Sequence, residues 1–218
     1  MKESKKNQNE PSQPNLTLAV KSTAILLAAG ESSRMGQLKA MLPWHGSPMM
    51  EHQIRSLFDG GVDEIIVVLG HQKDLLLPMI QQYESVIPIY NHNYISGKTT
   101  SIKCGLSQIK EMDTDCILLL NVDQPRSATT IKTLLQHHQS SEALITIPSF
   151  NGKGGHPIIF DISLLEELSH IEEASQGVKS VVSTNQSKLQ KVPIYSEEVL
   201  WDLNTPDEYR CASDKSRP

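Results

Sequence analysis

Three short apolar runs narrow the folds open to this chain: ILL at 25–27, EIIVVL at 64–69 and CILLLNV at 116–122. They do not alternate apolar with polar residues, so each reads as a strand covered on both faces, the pattern of a sheet with helices on either side. A helical period follows each run. Met50, Ile54, Leu57 and Phe58 share one helical face, Ile102, Leu106 and Ile109 a second, and Ile131, Leu134, Leu135 and His138 a third. Strands alternating with helices imply right-handed crossovers and a mainly parallel sheet. The 218 residues suit one domain of ordinary size.

The intervening residues place the other elements. Ser47 reads as an N-cap with Pro48 at the first helical position, and Gly60 and Gly61 end that helix. Pro78 shortens or kinks the helix after Gly70 and His71, and Pro88 marks the strand at 86–90 as an edge or the strand's start. Further strands are expected at 143–148 and 190–195, with an apolar run at 158–160 and a short helix at 163–168. Ser127 suits an N-cap, and Thr205 with Pro206 opens a closing helix. The polar stretch 169–188, broken by Gly177, reads as a mobile insertion.

Ligand chemistry concentrates where the apolar runs end. After Ile25 and Leu26, the residues Leu27, Ala28, Ala29 and Gly30 leave little side chain in the way of a polyphosphate approaching the backbone N–H groups. Ser32, Ser33, Arg34 and Lys39 follow, offering hydroxyl donors, a guanidinium fork and a compact ammonium. The spacing is neither a Walker loop nor G-x-G-x-x-G: five residues separate Gly30 from Gly36, and Ala40 follows Lys39. From pattern alone, a solvated strand-to-loop connection explains the stretch equally well. The segment from Gly97 to Ser101 crowds a helix N-terminus and is a second candidate ligand loop, with simple capping by Thr99 or Thr100 as the alternative. Asp123 stands at the end of the run at 116–122, the end of a strand where ligands bind in open α/β sheets. His156 lies in a glycine-rich turn, NGKGGHP, that reads equally as a ligand loop or a simple connection, and His71 and His92 read as polar loop residues.

Composition excludes several partners. A net charge of −5 gives no general attraction for nucleic acid or an anionic membrane, so any anion site must be local. Three cysteines, Cys104, Cys116 and Cys211, stand in no metal-ligand spacing and suit reduced thiols in a cytoplasmic protein. Residues 1–22 read as a disordered tail without a signal-peptide core, and no apolar stretch approaches the roughly 20 residues of a membrane span. The domain is expected over 23–210, with a C-terminal tail at 211–218.

The motifs LLAAGESSRMG, LKAMLPWHG, SGKTTSI, NVDQP, GGHPIIF and WDLNTPDEY, in this order over residues 23–209, resemble the MobA/MocA-like nucleotidyltransferases. The resemblance implies a Rossmann-like, doubly wound α/β fold, Mg²⁺, an NTP substrate and a molybdopterin-type acceptor, with a molybdenum hydroxylase as the eventual recipient. It implies that Leu27, Ala28, Ala29 and Gly30 lie along the nucleotide, with Gly97 and Ser101 in the second loop. Arg34 and Lys39 match phosphate-contacting cations, Asp123 matches the metal-binding aspartate, and Asp202 or Asn204 a second metal or substrate contact. His156 falls on the acceptor side. LAAG and LPWHG resemble the cytidylyl-transferring branch, which implies CMP transfer from CTP. GTP as the donor, a sugar or alditol phosphate as the acceptor, and a non-catalytic cofactor-binding protein are the competing readings. Arg126 and Val122 depart from the pattern beside the metal aspartate.

Overall fold

The structure is a computed structural model and describes residues 20–216. Its sheet is built on β1 (Ser22–Ala28), the strand read at 25–27. Ala24, Leu26 and Ala28 pack into one core, whereas Ile25, Leu27 and the following Ala29 pack into a second, so the strand is covered on both sides. A hairpin of β2 (Pro43–Trp44) and β3 (Ser47–Pro48) leads to α1 (Met49–Asp59). His45 and Gly46 turn that hairpin with φ of 48° and 82°, the left-handed geometry of tight hairpin turns. Ser47 therefore does not cap α1: its hydroxyl donates to the Trp44 carbonyl and Pro48 takes the cap position.

The chain continues through β4 (Glu64–Leu69), α2 (Lys73–Ile80), β5 (Val86–Tyr90), α3 (Lys98–Ile109), β6 (Cys116–Asn121) and α4 (Ala128–Gln139). Pro78 lies within α2, which ends two residues later. β5 pairs only with β4 and forms the sheet edge that Pro88 suits. Then come β7 (Ile145–Phe150), β8 (Lys153–Gly154), β9 (Ile158–Asp161), α5 (Leu165–Ser169), α6 (Val178–Thr184), β10 (Leu189–Pro193) and α7 (Pro206–Lys215).

The strand order is β10-β7-β9-β6-β1-β4-β5, with β8 pairing to β7. β5, β4, β1 and β6 run parallel, as do β7 and β10. β9 is antiparallel to both its neighbours. Seven residues, 151–157, join β7 to β9, whereas a parallel return needs about a dozen or more for its crossover. The short turn thus reverses the strand and keeps His156 at the sheet end where β6 delivers Asp123.

α1, α2 and α4 contribute to the core on one face, and α3, α5 and α6 to the other. The chain moves outward from β1 to β5 over the first face and returns through α3 over the second to β6. This leaves a crevice between the carboxyl ends of β1 and β6, the usual ligand position in such sheets.

Three expectations are corrected. The stretch 169–188, expected as a mobile insertion, packs as part of the domain: it contains α6, and Ile171 and Val181 are buried in the second core. The C-terminal tail expected at 211–218 is helical as far as Lys215, with Ala212 buried. The expected N-terminal tail falls almost wholly outside the described residues, but Ser22 already belongs to β1 and the Lys21 N–H donates to Asp115 at 2.8 Å.

Candidate active site

A cavity of about 340 Å³ opens at the carboxyl ends of β1 and β6. Leu27, Ala28, Ala29 and Gly30 line one wall, and Gly97 and Ser101 come from the turn into α3. A side chain at Gly30 would meet no protein atom within 4 Å, so the chain's own packing does not demand glycine there and the space is open to a ligand. Ser101 accepts from the Asn91 side-chain amide at 2.9 Å and is buried, which leaves its own proton as a donor.

The charged centre joins three distant segments. Lys39 Nζ lies 2.6 Å from Asp123 Oδ2 and 2.8 Å from Asn204 Oδ1, with the Lys39 and Asp123 side chains only 12% and 15% exposed. Arg34 Nη2 donates to the same Asn204 oxygen at 3.1 Å. The backbone N–H of Lys39 donates to Ser32 Oγ at 3.1 Å, fixing the loop that carries the ammonium. Asp202 lines the same cavity. Partial burial, followed by the like charge of Asp123, holds its carboxyl above the usual carboxylate range.

Segment 201–204 is held here by its backbone. The Leu203 N–H donates to the Asp123 carbonyl at 2.9 Å. Immediately afterward, Thr205 and Glu208 form a reciprocal capping box at the start of α7. Glu208 also accepts from the Asn204 N–H at 2.8 Å, orienting the residue that meets both cations.

The expected nucleotide residues Leu27, Ala28, Ala29, Gly30, Lys39, Gly97 and Ser101 all line the cavity, with Asp123, Asp202 and Asn204. Arg34 stands at its edge and reaches it through Asn204. His156 is not among the lining residues. Burial, and then the positive charges of Lys98, Arg126 and Lys179, push its pKa down to about 4, so the ring is neutral near pH 7. Asn204, one of the two residues expected as a second metal or substrate contact, has its side-chain oxygen engaged by Lys39 and Arg34.

Neither capping alternative for the Gly97 to Ser101 segment holds. Gly97 takes the cap position with φ 112°, and no side chain of the segment closes the helix end. A carboxylate from elsewhere does so: Glu173 accepts from the Thr99 N–H at 3.1 Å and from the Thr99 hydroxyl. Those two bonds hold the Glu173 carboxyl below its ordinary range.

Arg126 differs most from expectation. Its side chain is fully buried, and its guanidinium donates to four carbonyls: His156 at 2.7 Å, Pro125 at 2.8 Å, and Val199 and Trp201 at 3.1 Å each. One side chain thereby ties together the segment after β6, the glycine-rich turn and the closing motif. Its nearest carboxylate influence, Glu198, is occupied by Ser127 and Thr130. Gln53 completes the support. This buried amide donates to the Gln124 and Asn121 carbonyls at 2.6 and 3.2 Å and accepts from the Arg126 N–H. A polar residue on the Met50, Ile54, Leu57 face of α1 was the sequence signal for it.

Among the described residues no cluster of three or more His, Cys, Asp or Glu forms a metal cage. Two aspartates facing one cavity are instead a hard-oxygen donor pair, which suits Mg²⁺ because that ion keeps several waters and shares its remaining positions with substrate phosphates. Among the described residues no helix is long and apolar enough to cross a membrane.

The profile of the MobA-like NTP transferase domain matches residues 24–191. The chain is 26% identical over 191 residues to the molybdenum cofactor cytidylyltransferase of Escherichia coli, covering 88% of this chain and 95% of that protein. It is 27% identical over 195 residues to the nicotine blue oxidoreductase of Paenarthrobacter nicotinovorans, covering 85% and 93%. Among solved structures, a nucleotidyl transferase from Methanothermobacter superposes with a TM-score of 0.76 at 21% identity, covering 89% of this chain and 97% of that one.

Proposed function

Because the chain belongs to the MobA-like NTP transferase family, we propose that it transfers CMP from CTP to the terminal phosphate of a molybdopterin-type acceptor and releases pyrophosphate. The observation that carries this reading is the meeting of Lys39, Asp123 and Asn204 in the crevice between β1 and β6. The E. coli relative's cytidylyltransferase name supports the choice of nucleotide and acceptor. The Paenarthrobacter relative carries the name of an oxidoreductase. Two carboxylates and several cations gathered at one cavity favour phosphate chemistry over it.

An oxygen of the acceptor phosphate attacks the α-phosphorus of CTP. A new P–O–P linkage forms, and the bond from the α-phosphorus to the bridging oxygen breaks, carrying its electron pair into pyrophosphate. The second pKa of a phosphate monoester is about 6, so the acceptor is largely a dianion at neutral pH and needs no protein base. The obstacle is repulsion between two polyanions, and positioning with charge neutralisation overcomes it. Asp123 and Asp202 would hold Mg²⁺, which supplies neutralisation of phosphate charge when bound. Lys39 and Arg34 restrain the departing pyrophosphate. Leu27 to Gly30 carry the nucleotide, and Gly97 and Ser101 close over it. His156 shapes the acceptor wall from behind. A molybdenum hydroxylase is the recipient this reading implies.

One assay tests it. Purified protein is incubated with Mg²⁺, molybdopterin and each NTP in turn, and pyrophosphate is measured. Release with CTP alone is the expected result. Release with GTP alone moves the nucleotide assignment, release only with a sugar or alditol phosphate moves the acceptor, and binding without release refutes catalysis.

A further inference from the structure

The turn into α3 carries Gly97 and Ser101 to the cavity, and two residues outside the cavity lining hold it. Asn91, buried just past β5, donates from its side-chain amide to Thr100 Oγ1 and Ser101 Oγ at 2.9 Å each. Glu173, which belongs to none of the motifs that carry the resemblance, takes the helix end: its Oε2 accepts from the Thr99 N–H at 3.1 Å and from the Thr99 hydroxyl. Thr99 is only 7% exposed, and neither it nor Glu173 lines the cavity, whereas Gly97, Lys98 and Ser101 do. Glu173 thus grips the turn from outside, without entering the space a ligand would fill.

The backbone builds this contact. Ile171 and Val181 are buried in the second core and fix both ends of the span that carries Glu173. Within it the Gly177 N–H donates to the Glu172 carbonyl at 2.9 Å and the Gln176 N–H to the Glu173 carbonyl at 3.1 Å, which closes a turn. The two turns meet where each has a glycine with positive φ, 112° at Gly97 and 57° at Gly177. A Cβ at Gly97 would lie 3.1 Å from the Glu173 carboxylate, and one at Gly177 would lie 3.3 Å from Thr99 Oγ1. The carboxylate reaches the helix because neither turn has a side chain at the point of contact. No side chain of the segment itself caps α3, so this carboxylate satisfies a first-turn N–H and complements the helix dipole.

We propose that Glu173 is a positioning residue for the nucleotide: it fixes the turn in which Gly97 and Ser101 face the cavity, and so sets the affinity for CTP from the stretch 169–188. This rests on the transferase reading. Without the carboxylate the Thr99 N–H turns to water and the turn samples other conformations. Only the fraction with Gly97 and Ser101 in place binds nucleotide, and the apparent affinity falls by that fraction.

The experiment compares the full-length wild type with E173A and E173Q. CTP–Mg²⁺ affinity is measured by calorimetry, KM for CTP and for molybdopterin and kcat by pyrophosphate release, and folding by thermal melting. E173A is expected to weaken CTP–Mg²⁺ binding and raise the KM for CTP by about 5- to 30-fold, the equivalent of a lost helix cap. The KM for molybdopterin and kcat should stay within about twofold of wild type, because uniform nucleotide binding is what is removed. E173Q keeps an oxygen that accepts from the Thr99 N–H and should recover most of the loss. Unchanged or tighter CTP binding in E173A, a loss shared equally by molybdopterin and accompanied by a lowered Tm, or an E173Q no better than E173A overturns the role of Glu173. Wild type that binds CTP but releases no pyrophosphate overturns the transferase reading alone, and the calorimetric comparison then decides Glu173 by itself. Wild type that binds no CTP overturns both.

Discussion

Replacing Arg126 by leucine tests whether one buried guanidinium holds the site together. Four carbonyl bonds, between 2.7 and 3.1 Å, are lost at once. The Pro125 carbonyl is local, but those of His156, Val199 and Trp201 belong to two other segments. Leaving a buried carbonyl unsatisfied costs about 1–3 kcal/mol, so three such groups set a ceiling near 9 kcal/mol. Two effects reduce it. Water entering the space satisfies part of the carbonyls, and leucine escapes the desolvation that pushes the guanidinium pKa down to about 9. A net loss of about 3–5 kcal/mol is the usual result of removing one partner from a buried charged network. For a domain of this size each kcal/mol lowers Tm by about 2–4 °C. Arg126→Leu should therefore melt roughly 6–20 °C below wild type by circular dichroism. Turnover below the melting transition should fall as well, because Trp201 directly precedes Asp202, which lines the cavity. A Tm within 2 °C of wild type would show that the four carbonyls need no guanidinium.

Other expectations concern charge. Lys39→Ala and Asp123→Ala should each lose about 100- to 1000-fold in pyrophosphate release, the usual cost of one preorganised electrostatic contact, while circular dichroism shows a retained fold. Near-normal product from either variant would sink the assignment of the site. Burial is the first cause holding His52 and His156 at pKa values of about 4, so the folded state binds fewer protons there than the unfolded chain, whose histidines titrate near 6.5. Their stabilising effect is complete above about pH 6.5 and is lost as pH falls toward 4, by up to ~3 kcal/mol each. Urea denaturation at pH 7.5 and 5.0 should show this slope, and His156→Asn should flatten part of it. An unchanged slope would mean that the ring is solvated.

Much of the framework is legible in the sequence because burial on both faces leaves a strong local trace. EIIVVL became β4 with the same bounds, Pro88 marked the edge strand, and Thr205–Pro206 opened α7 with the capping box its chemistry allows. The errors also have local causes. Ser47 looked like a cap, but the His45–Gly46 turn engages its hydroxyl in a hairpin. The stretch 169–188 looked polar, yet Ile171 and Val181 are buried in the second core and Val178 and Val182 pack against it.

At the site, the chain alone specified which chemical groups are available: small residues after β1, two cations in the following loop, and an aspartate at the end of β6. Periodicity and residue type express local preferences, and these decide strands, helices and turns. Which groups meet was decided by tertiary structure, because contacts across 84 or 165 positions leave no local signature. The pairing of Lys39 with both Asp123 and Asn204 depends on the β1–β6 register and on the Leu203 bond to Asp123. Arg126 looked like a departure beside a metal ligand. Only the packed molecule shows it turned inward, because three backbone segments converge there with carbonyls that one guanidinium can satisfy together.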